Sequence, residues 1–414
     1  MRYLFKHLLN SERVTAINIG IVALALQVGA LPFFNITITQ ITGVTIALVS
    51  FYILFKERQI SLEVAGLGSI FILSLLWSFI HFDWRGLGRG LDAYYLLFTT
   101  PLFISLIKLS STKIRILLWN FILGTIASYI LTLSTAIFYY YSDIMPITGR
   151  LTDIFFHEQL GYVILNAHPT YYSLYGCIAT LLITFFPSER MWQNLLSVIF
   201  ITLVISLLMA RITLVIQSFL LILFFGRLVL TSLKWRLIVL PLVFLSFIIF
   251  YFKTTEIYDY QHRRIFVDFN SSWERSKEPN LTITEWGIVT RFALWRASWE
   301  VIEKSPWFGI KPRTEKDALS TQLRLNQQDY IASLKMDSHN YYLSALIAYG
   351  FVGVLLLIVA QLLLLWRLGF YAPYLIFTLM IAFVACTEGV FLRFVGTSLF
   401  AVIGSLLFFY KKNY

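Results

Sequence analysis

From Tyr341 to Trp366 the chain reads YYLSALIAYGFVGVLLLIVAQLLLLW without one charged side chain, and it is entered through the polar quartet Asp337-Ser338-His339-Asn340. As an α-helix this run is about 39 Å long, enough to cross a bilayer core of about 30 Å. A helix also pairs its own backbone groups, which lipid cannot do. Similar runs lie near 14–31, 37–55, 62–80, 91–107, 114–140, 162–186, 195–209, 212–226, 237–252, 373–387 and 395–410. The 414 residues are 58% hydrophobic and only 13% charged, against about 25% charged in a soluble domain. The expected fold is therefore all-α: a polytopic integral membrane protein of about twelve transmembrane helices.

No A-x-A-like site closes Val14–Leu31, so it reads as a retained first span rather than a signal peptide. The run 195–225 is too long for one span and short for two, and Arg211 alone interrupts it. Charge decides for two. With two spans, fifteen Lys and Arg share one side of the membrane and five (Arg85, Arg89, Arg150, Arg211, Arg393) lie in the opposite short loops. Such a bias marks the cytoplasmic side, so both termini are expected there and the long loop in the periplasm. The net charge of +11 is then a topology signal and not a nucleic-acid footprint. Three segments follow: 1–252 with nine spans, a large periplasmic loop at 253–340, and 341–414 with three more, in one integrated membrane domain.

The loop is nearly neutral, with 13 basic and 12 acidic residues. It opens with a polar and aromatic stretch, Lys253–Asn280. Thr290–Lys304 then has the period of an amphipathic helix: Phe292, Trp295, Trp299 and Ile302 on one stripe, Arg296, Glu300 and Glu303 on the others. That pattern predicts a helix at the membrane surface, ended by Ser305-Pro306. Cys177 and Cys386 both fall in spans, and their spacing makes neither a disulfide framework nor a zinc site.

His339 stands where a helix N-terminus favours anions and keeps an imidazole neutral, able to take a proton. It reads either as that base or as a capping histidine. Arg211, alone in an apolar run, reads as a cavity-facing cation or as the tip of a turn. Arg291 should share the stripe of Trp295; it reads as a ligand for phosphate or as a lipid-surface arginine. Two such planar forks would suit a diphosphate. His168-Pro169 with Tyr171-Tyr172 opens the sixth span, and Glu388 and Arg393, five apart, read first as an ion pair. Arg89 adds a possible basic contact. Gly350 and Gly353 permit close helix packing.

Four places resemble the O-antigen ligase and polymerase superfamily of bacterial membrane glycosyltransferases. They are Met209-Ala210-Arg211; Arg291-Phe292-Ala293-Leu294-Trp295 leading to Ser305-Pro306-Trp307-Phe308-Gly309; Ser338-His339-Asn340-Tyr341-Tyr342 with Gly350 and Gly353; and Glu388 to Gly396. The resemblance covers roughly 160–410 and implies a GT-C-like membrane fold. It implies a glycan donor on undecaprenyl diphosphate, and an acceptor that is lipid A–core or another lipid-linked glycan. It implies work at the periplasmic face of the inner membrane among membrane lipids, with no metal, nucleotide or nucleic acid. On this basis Arg211 and Arg291 hold the diphosphate and His339 activates the acceptor. Arg296, His168, Tyr171, Trp295, Asn340, Arg89, Glu388 and Arg393 supply further substrate contacts. A ligase, a polymerase of the same chemistry and a lipid or polysaccharide transporter remain as readings. The last would show repeats or charges deep in several spans, where only Arg211 is found.

The charge bias makes a direct topology prediction. A reporter fused after Tyr260 or Asn280 should be active only in its periplasmic form, and one after Lys234 only in its cytoplasmic form; exchanged activities would overturn the orientation.

Overall fold

The computed structural model describes residues 2–34, 36–57, 60–141, 160, 168–208, 210–231, 269–279, 281 and 288–412. These residues form helices and turns, with no strand among them. In chain order the helices are α1 (Arg2–Ala30), α2 (Ile36–Glu57), α3 (Leu62–Leu67), α4 (Ser69–Ile80), α5 (Trp84–Ile107) and α6 (Ser111–Tyr141). Then come α7 (Pro169–Phe185), α8 (Met191–Leu208), α9 (Arg211–Thr231), α10 (Phe269–Arg275), α11 (Ile288–Lys304), α12 (Glu315–Leu325) and α13 (Asp329–Ser333). The chain closes with α14 (Tyr341–Arg367), α15 (Ala372–Ala385) and α16 (Phe394–Lys412), the last with a π-helical turn at Phe400–Gly404.

Among the described residues eight helices are long and apolar enough to cross a membrane: α1, α2, α5, α6, α8, α9, α14 and α16. α4 and α15 are shorter apolar helices. The expected span 62–80 is divided at Gly68 into α3 and α4. The expected spans at 237–252 and the stretch 253–268 lie outside the described residues. The run 195–225 is two helices, each longer than expected because α8 begins at Met191 and α9 runs to Thr231. They fold back on one another. Gln217 of α9 donates to Thr202 of α8 (2.8 Å) and to Thr180 of α7 (3.2 Å); in one straight helix Gln217 and Thr202 would stand about 22 Å apart.

α7 is the central post. Every residue from Pro169 to Thr184 is buried, and α6, α8, α9 and α15 pack around it. Pro169 occupies its first turn, where the missing N–H costs nothing.

The helices of the long loop have a core of their own, in which Val289, Ala293, Ala297 and Val301 of α11 meet Leu319 and Leu323 of α12 and Ile347 of α14. This departs from the expected stripe. Trp299 is half-exposed and Phe292 and Trp295 only partly buried. Ala293 and Ala297 let the neighbouring helices approach more closely than aromatic rings would, so the small-residue stripe turns inward and packs on protein rather than lipid.

α14 is broken at Gly350 (φ 63°, ψ −173°). The turn that follows α11 fills the break with its own backbone. Phe351 N donates to Pro306 O (2.8 Å), Val352 N to Trp307 O (3.1 Å), and Ile310 N to Ile347 O (2.8 Å). Trp77 of α4 seals the joint by donating to Phe308 O (2.7 Å). Gly309 (φ 67°) lies against Ala348, where an added Cβ would come within 2.6 Å of its carbonyl, and a Cβ on Gly350 would overlap the Trp307 carbonyl. Beyond the break, α14 shows exposed apolar residues from Phe351 onward, whereas Tyr341–Gly350 is covered throughout.

Gly350→Ala should therefore cost on the order of 2–5 kcal/mol through left-handed strain and overpacking, seen as loss of folded, monodisperse protein. Gly226→Ala in α9, where nothing lies within 4 Å of an added Cβ, should leave thermal stability equal or higher.

Candidate functional site

The turn before α14 is tied together by its own polar side chains. Asn340 is the N-cap: its Oδ1 accepts from Tyr342 N (2.9 Å) and Leu343 N (3.2 Å), which satisfies donors the first helical turn leaves open. Asp337 Oδ1 accepts from His339 N (3.0 Å), and the Ser338 and Ser344 hydroxyls pair at 2.7 Å. His339 thus stands one residue before the cap, not inside the first turn, and takes a left-handed conformation (φ 48°) that His tolerates better than most residues.

What it faces is Glu388. The stretch after α15 closes with Thr387 N and Glu388 N both donating to Val384 O (3.0 Å each), which holds the Glu388 carboxylate in the interior at 2% exposure. One oxygen meets Arg291 Nη2 at 3.2 Å, and the other lies 3.8 Å from His339 Nδ1. Asp337 Oδ1 stands 4.0 Å from the same nitrogen. The two turns lie in contact here, the Cβ position of Gly389 standing 3.5 Å from the Asp337 carboxyl. Trp295 supplies the other brace, its indole N–H donating to Ser338 O (3.0 Å). α11 therefore delivers Arg291 and buttresses the His339 turn at once.

The rest of the group comes from α7 and the start of α16. His168 and Tyr171 rings stand 5.9 Å apart, and the Arg393 guanidinium lies over the Tyr171 ring at 5.7 Å. The Tyr171 hydroxyl is buried with no hydrogen-bond partner among the described residues. The expected Glu388–Arg393 pair is replaced: Glu388 turns to Arg291 and His339, while Arg393 rests on Tyr171. Arg211, exposed at the first position of α9, belongs to the same end of the bundle. Cys177 donates to Thr213 O (3.4 Å), and in that register Arg211 is level with Tyr175, about 6 Å further along α7 than Tyr171.

Two residues are placed elsewhere or otherwise occupied. Arg296 pairs with Glu300 (3.5 Å), whose second oxygen accepts from Gln322 and Asn326, so it serves the loop's interior. Asn340 spends its oxygen on the cap. The side chain of Arg89 lies outside the described residues. Asp337 was readable beforehand only as a capping residue; its spacing two before His339 is the Asx-turn signal that places it here.

Burial alone would raise the Glu388 carboxyl, but interaction with the His339 imidazole and the charges of His168 and Arg291 hold it below its ordinary value. A carboxyl lowered on folding adds stability that is present above its ordinary pKa of 4.5 and lost as pH falls through the lower folded value. The stability difference between wild type and Glu388→Gln should therefore shrink as pH falls below about 4.5, read from thermal unfolding in detergent.

Residues 195–358 match the family model described as O-antigen ligase. No curated protein matches the chain. The matched segment carries Arg211, Arg291, His339 and the Gly309–Gly350 joint, while Glu388 and Arg393 lie beyond it. That match supports membership of the O-antigen ligase and polymerase superfamily for this chain.

Proposed function

We propose that the chain is a glycan ligase of the inner membrane. It would move a glycan from undecaprenyl diphosphate to a hydroxyl of an acceptor such as lipid A–core, with 253–340 and the active site on the periplasmic face. The superfamily implies glycan transfer of the ligase or polymerase type by an integral membrane enzyme. The observation that carries the reading further is the meeting of Arg291 and His339 on the buried Glu388 carboxylate at one end of the bundle.

The chemistry follows from that arrangement. The acceptor oxygen attacks the anomeric carbon, the bond from that carbon to phosphate oxygen breaks, and the diphosphate leaves with the electron pair. Arg211 and the Arg291 donors not engaged by Glu388 would neutralise the charge growing on the leaving group. The acceptor proton goes to His339. With Glu388 and Asp337 on the Nδ1 side of the ring, Nε2 is the atom left to receive it, and the carboxylates favour the imidazolium that forms, as in a nucleophile–base–acid triad. His168, Tyr171, Trp295 and Arg393 border this space and would contact substrate.

The test is transfer by purified protein from a polyprenyl-diphosphate glycan to a hydroxyl acceptor. His339→Asn keeps a residue at home in the left-handed turn and should lower turnover by about 10²–10⁴-fold while donor binding persists. Arg291→Lys and Arg211→Lys lose the planar fork and should weaken donor binding. Near-wild-type turnover in His339→Asn would remove the base. A ligase and a polymerase separate in a deletion strain: loss of all long glycan from the lipid anchor marks the first, single repeat units still attached the second.

A further inference from the structure

Apart from the Glu388 group, one further place in the molecule sets a few charged and hydroxyl-bearing side chains into an otherwise apolar wall. Between the end of α4, the Gly309 turn and α12 lies an open cavity of about 560 Å³, lined by His81, Lys311, Thr314, Asp317 and Thr321. Its volume is that of a small-ligand site. It is separate from the Glu388 group: Gly309 packs on Ala348, nine residues along α14 from His339, a distance of about 13 Å along the helix.

The wall carries both kinds of hydrogen-bonding group. Lys311 is an exposed cation and Asp317 an exposed carboxylate, paired only loosely with Lys335 at 3.9 Å. The Thr314 and Thr321 hydroxyls spend their protons on Lys311 O (2.8 Å) and Asp317 O (2.9 Å), so each presents lone pairs. A simple anion would meet Asp317, and an apolar chain would leave every one of these groups unsatisfied. A compact ligand rich in hydroxyls suits the reachable groups together: the Asp317 carboxylate accepts from two neighbouring hydroxyls, the threonine oxygens accept from others, and Lys311 donates to a ring or hydroxyl oxygen.

We infer that this cavity binds a sugar residue of the glycan, one remote from the bond being made, and so grips the long part of the substrate while the Glu388 group handles its reducing end. The inference rests on the glycan-transfer reading. The rigid Gly309–Gly350 joint holds the cavity at a fixed distance from His339, so that binding energy at one end can orient the other.

The experiment uses the full-length protein in detergent and two readouts. In the first, oligosaccharide released from the host's own surface polysaccharide is tested by saturation-transfer NMR against wild type, Thr321→Trp and Asp317→Asn. Thr321 and Asp317 are both exposed, so neither change disturbs the core, and Trp fills the opening. Wild type should give a sugar signal that falls at least fivefold in Thr321→Trp and more modestly in Asp317→Asn. No signal in wild type, or an equal signal in Thr321→Trp, overturns the inference. In the second, transfer is followed with a long-glycan donor and with a polyprenyl diphosphate bearing one sugar. Thr321→Trp should raise KM for the long donor about tenfold or more, leave kcat within twofold, and leave the one-sugar donor unaffected. Equal effects on both donors overturn the inference. Glycan binding by a wild type that transfers nothing would instead overturn the transfer reading and leave the cavity standing.

Discussion

Two glycines, Gly309 pressed on the Ala348 backbone and Gly350 on the Trp307 backbone, hold the working end of this protein in register. At Gly350 a membrane helix gives up its own hydrogen-bond ladder, and the Pro306–Ile310 turn replaces the missing partners with three backbone bonds. Buried peptide groups left open would cost about 1–3 kcal/mol each, so the joint has one stable arrangement. α11 is then fixed at two points, just past its C-terminal end by this joint and at mid-helix by Trp295 on Ser338. A helix about 25 Å long, pinned twice, leaves Arg291 little freedom relative to His339.

The charges at the other end of that strut are mutually dependent. Glu388 is almost wholly buried, and a buried carboxylate survives as an anion only beside cations or donors. Arg291, His168 and His339 supply these. Removing one member therefore leaves the others uncompensated, which is why single substitutions here should act on both stability and rate, and why a conservative replacement at His339 separates the two better than alanine. The ring contact of Arg393 on Tyr171 keeps one more cation at the edge without drawing it into the Glu388 pair.

The eight long apolar helices among the described residues were legible because lipid imposes a single rule, a long uncharged run. The limits of α11 were also close, Thr290 against Ile288 at its start, since its period is strong. Its orientation was not legible. Aromatic residues look like a core stripe, and only the approach of α12 and α14 makes Ala293 and Ala297 the buried ones. The break at Gly68 carries no charge or proline to announce it. In the site, His339 and Arg291 stood out by residue type and place, whereas the partner of Glu388 did not. Arg291 is 97 positions away, and Arg393, five positions away, was the nearer candidate; tertiary packing alone chose between them. Asp317, Thr321 and His81 are ordinary polar residues until the fold sets them around one space.

The complete burial of α7 bears on how the protein is made. Its sequence, PTYYSLYGCIATLLITF, carries three tyrosines, three threonines and a serine, and none of its first sixteen residues meets the surroundings of the bundle. Its hydroxyl groups find no partners in lipid. Its stability comes from contacts such as Tyr129 to Tyr172 O and Gln217 to Thr180, the second of which exists only after α9 has been synthesised. The packing around α7 is thus complete only once α8 and α9 have been made, and the end of the bundle that carries Tyr171 takes its final form then.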